Sequence, residues 1–198
     1  MASQTSTPLE YSTKQNEMNI LGFWIFLGAE IVLFSTLFAT YFVLEQSYAG
    51  GPTQSDLFIL KDVLIETFLL LTSSFTMGLA IHQMRGNNKN AMLFWTVATL
   101  LLGLGFLYYE INEFNHYIHE GLTLQTSAFG SAFLTLLGTH GVHVALGIGW
   151  VIALIIQVVR RGITAVTARK FFIVSLYWHF LDVVWIFIFT FVYLKGLM

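Results

Sequence analysis

The sequence predicts an all-α membrane protein, a polytopic bundle of five transmembrane helices. Three observations predict it. Of 198 residues, 56% are hydrophobic and only 10% charged, and the mean hydropathy is +0.72. No soluble domain of this size could carry so much apolar surface. Five apolar segments reach the roughly 20 residues that cross a bilayer, and the links between them are too short to hold a further domain. Cysteine is absent, which removes disulfides, thiolate metal sites and thiol chemistry and leaves His, Asp, Glu and Met as ligand-type residues. The net charge of −2 carries little information, and no basic patch interleaved with aromatics marks a nucleic-acid partner.

Residues 1–19 are polar, with Lys14 the single basic residue and no small-residue cleavage pattern. They read as a short cytoplasmic tail rather than a signal peptide. The transmembrane domain covers 20–198, with spans expected at 20–44, 58–84, 91–118, 128–158 and 171–194. Several exceed the minimum length, so tilt or overhang is expected. Gly50-Gly51-Pro52 punctuates the first link and Gly86-Asn87-Asn88 the second, as turns require. No internal repeat is present, and the chain reads as one domain.

Lys and Arg placement gives the orientation. Lys14, Arg85, Lys89, Arg160, Arg161, Arg169 and Lys170 fall on one side, seven of the nine basic residues. Lys61 and Lys195 fall on the other. The N-terminus is therefore expected in the cytoplasm and the C-terminus outside.

Depth can then be counted at about 1.5 Å per residue. Glu30 in span one, His140 and His143 in span four, and His179 and Asp182 in span five all fall near mid-membrane. The i,i+3 spacing of His140 and His143, and of His179 and Asp182, puts each pair on one helix face. An ionised carboxylate at that depth costs roughly 3 kcal/mol on insertion scales, so these groups need one another. A second group is shallower. Glu66 begins span two from the outside, and Glu110 and Glu113 end span three, followed by His116, His119 and Glu120 where water is expected.

Several chemistries use such residues. Glu113-x-x-His116 is half of a di-iron motif, but bundle carboxylate enzymes need two such pairs and this chain has one. His140, His143 and His179 could ligate haem or metal from facing spans, or serve a proton relay. Interhelical hydrogen bonding around Glu30 and Asp182 accounts for them with fewer requirements. A relay also needs a route to both surfaces, and no carboxylate stands on the cytoplasmic side of the cluster. Gly138, Gly141, Ala145 and Gly149 give span four small-residue faces that admit a close neighbour, a helix or a lipid tail. Trp24 and Tyr193 suit interfacial belts. Trp178 and Trp185 mark one face of span five and could meet a partner, a lipid or a neighbouring helix.

These same segments resemble a known family, subunit III of the haem–copper respiratory oxidases. The matching runs are Gly22-Phe-Trp-Ile-Phe-Leu-Gly-Ala-Glu-Ile-Val-Leu-Phe34, Leu69-Leu-Leu-Thr-Ser-Ser74 and Glu110-Ile-Asn-Glu-Phe114. They continue with Gly138-Thr-His-Gly-Val-His-Val144 and Tyr177-Trp-His-Phe-Leu-Asp-Val-Val-Trp185. Five runs in order are specific where any one would be weak. Five spans resemble the shorter bacterial members. Asn19 to Glu30 and Arg160-Arg-Gly-Ile-Thr164 look most like the bo-type and aa-type quinol oxidases, with cytochrome c oxidase as the alternative.

The resemblance implies a multi-pass cell-membrane subunit of a proton-pumping quinol:oxygen oxidoreductase with no catalytic, cofactor or metal site of its own. Haems and copper are expected in partner subunit I, with subunit II and a small subunit IV completing the complex. Bound phospholipid is expected in a cleft lined by Glu30. The resemblance casts His140, His143, His179 and Asp182 as polar groups tying the bundle together. Glu66, Glu110, Glu113, Trp178 and Trp185 remain candidates for the cleft or the buried polar network. A stand-alone metal or haem enzyme and a small transporter are the competing readings from the residues alone.

Overall fold

Each long helix but one begins where a side chain can satisfy its first free N–H groups. The computed structural model describes residues 8–197, with the backbone alone at 55 and 56. Helix α1 (Lys14–Leu44) is capped by Thr13, whose hydroxyl accepts the Asn16 N–H at 3.2 Å. A short turn α2 (Gln54–Leu57) leads to α3 (Leu60–Arg85), which lacks a side-chain cap. Asn88 caps α4 (Lys89–His119), and Ser127 caps α5 (Ala128–Arg161). At α6 (Ala165–Ile188), Thr164 and Thr167 cap each other reciprocally. The α6 axis continues to Leu194 as a wider π-helical stretch, Phe189–Leu194.

The links follow the turn residues in the sequence. Asn87 adopts φ +55°, which asparagine tolerates better than most side chains, and Asn88 then serves as the cap. Gly162 reverses the chain between α5 and α6 at φ +71°. Five helices are long and apolar enough to cross a membrane. At 31 residues, α1 and α4 are each about 46 Å long, well beyond the roughly 30 Å hydrocarbon core.

Two ends differ from expectation. Helix α1 starts at Lys14 rather than near residue 20, and α6 starts at Ala165 rather than near 171. In both cases a threonine cap starts the helix before the apolar run begins. The expected tail is therefore partly ordered, while residues 1–7 lie outside the described residues. Leu9–Tyr11 forms a 3₁₀ turn against α6, with Tyr11 edge-on to Phe172 at 5.6 Å. Glu10 is fully buried and meets Arg85 at 2.7 Å. Asn16 donates to the Ala165 carbonyl and accepts from Arg169, each at 3.1 Å.

Helices α3 and α4 form the most extensive pair. Helix α6 packs on α1, α3 and α5, and α5 packs on α1, α4 and α6. Helix α1 is peripheral: 17% of its apolar window is buried inside the bundle, against 50% for α3 and α6. Its Ile25, Val32 and Val43 are exposed, as are Phe68 and Phe75 of α3 and Leu101 of α4. In water this perimeter would be untenable; against lipid tails it costs nothing.

Trp178 shows how small residues set the packing. A Cβ at Gly103 of α4 would lie 2.7 Å from its ring, and one at Gly147 of α5 would lie 3.3 Å away. The indole occupies the space that two missing side chains leave between these helices.

Candidate functional site

The polar residues resolve into three sets. In the first, Glu30 on α1 meets His143 on α5, Oε2 to Nε2 at 3.1 Å. The opposite ring nitrogen, Nδ1, lies 2.6 Å from the Thr139 carbonyl, which can only accept. Tyr177 donates to the His143 carbonyl at 3.1 Å, bringing α6 into the same joint. Glu30 and His143 are 13% and 17% exposed, so the joint touches the perimeter.

The second set joins α6 to α3. His179 Nδ1 lies 2.6 Å from the Ser74 hydroxyl, with Asp182 beside both. On the adjoining face, Trp178 donates to Ser73 at 2.9 Å and Trp185 donates to Thr67 at 3.0 Å. The two tryptophans, seven residues apart, are rungs between α6 and α3. Of the three occupants open to them in the sequence, the neighbouring helix is the one found. Ser73 stood in the Leu69–Ser74 run but neither it nor Thr67 was marked as an interhelical partner, since hydroxyls in apolar helices usually bond their own backbone.

His140 departs from the expected hydrogen-bonding role. Its ring is fully buried, stacked on Trp185 at 5.5 Å and edge-on to Phe106 at 5.9 Å. Neither of its nitrogens has a protein partner. It ties α5 to α4 and α6 through ring contacts.

The third set is buried: Glu66, Glu110 and Glu113 are 0%, 2% and 8% exposed. Tyr193 donates to Glu113 at 2.7 Å and lies 3.5 Å from the Tyr117 hydroxyl. Tyr193 is thus buried in the bundle and not in an interfacial belt; the widened turn Phe189–Leu194 carries it there. Both oxygens of Glu66 and of Glu110 lack a protein partner. His119 and Glu120, at the C-terminal end of α4, are exposed.

Among the described residues, no three His, Asp or Glu side chains converge as a metal site requires. Haem does not fit either, because aromatic rings enclose His140 and the Thr139 carbonyl and Glu30 occupy both nitrogens of His143. The arrangement is that of a scaffold: polar groups lock helices while the perimeter stays apolar.

Comparison with known proteins agrees with this arrangement. The family described as cytochrome c oxidase subunit III matches residues 9–197. The chain belongs to that family. Relatives of this subunit III include quinol oxidase subunit 3 of Bacillus spizizenii, 61% identical over 193 residues, covering 98% of this chain and 95% of the relative. The Bacillus subtilis quinol oxidase subunit 3 is 60% identical over the same length and coverage. A probable quinol oxidase subunit 3 of Staphylococcus haemolyticus is 55% identical over 199 residues, covering 100% of this chain and 98% of its own. With five membrane-length helices, this subunit III is a multi-pass cell-membrane protein and a component of an oxidase complex.

Proposed function

We propose that this chain is the non-redox third subunit of a proton-pumping quinol oxidase that reduces dioxygen to water. It is not itself catalytic. The observation that carries the reading is 61% identity, across 193 residues, to a quinol oxidase subunit 3. Haems and copper belong to subunit I, and this chain stabilises that subunit and supports its proton uptake. Subunit II and a small subunit IV complete the assembly. The clustering of basic residues at one end supports an N-terminus in the cytoplasm and a C-terminus outside.

Phospholipid binding has two supports in the structure. At the basic end, a groove of about 470 Å³ runs between apolar Trp150 and Leu154 and the cationic Arg160, Arg161 and Lys170. Cations beside an apolar trough suit a lipid phosphate with its chains. Between α1 and α6, Ile31, Phe34, Phe38 and Phe180 line a second, apolar groove beside the Glu30–His143 joint. A lipid tail there would press on the joint and keep water from it.

The test is to tag the chain, extract it in mild detergent and identify what co-purifies by mass spectrometry. A many-span haem-bearing subunit I with a subunit II lacking copper-binding cysteines is the expected result. A subunit II bearing those cysteines would make cytochrome c the donor. Isolation of this chain alone, with iron or copper, would overturn the scaffold reading.

A further inference from the structure

Helices α4 and α5 diverge enough to leave a groove of about 340 Å³. Gly138, Gly141 and Ala145 form one wall, and Leu107, Glu110 and Phe114 the other. The rim residues Ile111 and Val142 are 54% and 59% exposed, so the groove opens sideways toward lipid. Its volume falls within the range of small-molecule pockets.

Glu110 makes this groove unusual. Its side chain is buried, and neither carboxyl oxygen has a protein partner. The lack of a side chain at Gly141 is what accommodates it, because a Cβ there would lie 2.6 Å from Oε1. The carboxyl therefore rests against bare backbone and faces the groove. Gly138 leaves a similar flat place beside Phe114, whose ring would meet a Cβ at 3.6 Å. A buried carboxyl without a partner is costly, and hydrocarbon tails cannot supply one.

Depth narrows the choice of occupant. Glu110 lies about 14 Å from the C-terminal end of α4, and this helix, centred on a roughly 30 Å hydrocarbon core, would overrun it by about 8 Å at each end. The carboxyl therefore sits about 6 Å below the hydrocarbon boundary, beneath the level of phospholipid headgroups. A molecule that brings hydroxyl donors to that depth must be mostly apolar, flat enough for a glycine-floored slot, and dissolved in the membrane.

We propose that this groove binds the headgroup of a quinol from the lipid side, its ring over Gly138 and Gly141 and one hydroxyl on the Glu110 carboxyl. The proposal rests on the quinol-oxidase reading, which supplies the quinol. It places a quinol-binding position on this chain. No redox step occurs there; the groove holds quinol near the complex.

The test uses the intact oxidase complex in nanodiscs of phosphatidylglycerol and phosphatidylethanolamine. A ring-azido benzoquinol with an isoprenoid tail is added and illuminated, and labelled peptides are identified by mass spectrometry. Label is expected within 107–115 or 138–145 of this chain, displaced by excess unmodified quinol. Ala145→Phe, at an exposed position, should fill the slot and reduce that label at least ten-fold. Glu110→Leu should reduce it at least three-fold. Label confined to other subunits, or groove label indifferent to both substitutions, would overturn the proposal. So would capture of photoreactive phosphatidylethanolamine in the groove that excess quinol does not displace, which would assign it to lipid. Quinol and cytochrome c turnover are measured on the same preparation. Quinol turnover without groove label rejects the groove alone, whereas turnover with cytochrome c only removes the reading beneath it.

Discussion

His143 faces Glu30 across the α1–α5 contact at 3.1 Å while its other ring nitrogen points at the Thr139 carbonyl. Because a carbonyl has no proton to give, Nδ1 carries one. The remaining contact, Nε2 to carboxyl oxygen, then needs one shared proton, held as imidazolium and carboxylate or as imidazole and carboxylic acid.

Glu30→Gln should preserve the joint, because an amide N–H can donate to Nε2. His143→Ala should loosen α1, by about 1–2 kcal/mol if the bond resembles other interhelical bonds in membranes. Thermal release of this chain from the purified complex checks it: the His143→Ala midpoint falls and the Glu30→Gln midpoint does not. Equal loss in both would show that the joint requires the carboxyl itself.

The Trp178 packing predicts a graded glycine series. Gly103→Ala collides with the indole and should cost about 1–3 kcal/mol, as overpacking does. Gly147→Ala, whose Cβ would first meet Tyr177 at 3.2 Å, should cost less. Gly149→Ala meets nothing within 4 Å and should be neutral or slightly stabilising. Comparing the yield of folded complex and its unfolding midpoint across the three variants tests the order.

Tyr193→Phe deletes the hydroxyl that donates to Glu113 and leaves a buried carboxyl without that donor. A loss of about 1–3 kcal/mol is expected. A double-mutant cycle with Glu113→Gln separates the bond from the ring's packing. Additive effects would mean that the two side chains do not couple.

The Glu10–Arg85 pair should respond asymmetrically. Glu10 is fully buried, but the Arg85 side chain is 47% exposed. Arg85→Ala strands a buried charge and should cost about 2–3 kcal/mol; Glu10→Gln frees a cation that water can still reach and should cost under about 1 kcal/mol. Protease susceptibility of the N-terminal segment gives the readout, with Arg85→Ala cleaved faster.

Five helices were legible because length and hydropathy are properties of one segment at a time. The turn at Gly86-Asn87-Asn88 was legible for the same reason, though not that Asn88 would cap α4. Rotation of each helix about its axis was not. Tyr193 reads as interfacial from its place near a span end, yet a π-helical turn aims it inward at Glu113. Glu66 and Glu110 read as shallow, but depth along a helix does not say which side faces the bundle, and both turn inward. The expectation for His140 failed differently: sequence spacing put it on the correct face of α5, but its neighbours proved to be rings. Ser73 pairs with a residue 105 positions away, a relationship no local pattern encodes. Glu10 illustrates the opposite error, since a polar terminal stretch hides a single buried charge.

The peripheral placement of α1 has a consequence for synthesis. Helix α1 leaves the ribosome first, but the helices it rests on, α5 and α6, are made last. Glu30 precedes its partner His143 by 113 residues. At about 5–20 residues per second, Glu30 spends roughly 6–23 s in the membrane before that histidine exists. During this interval the α3–α4 hairpin can close on itself while α1 waits in lipid. Early retention of α1 therefore depends on its own hydropathy, and the newborn chain is most exposed to quality control before its last two helices are threaded.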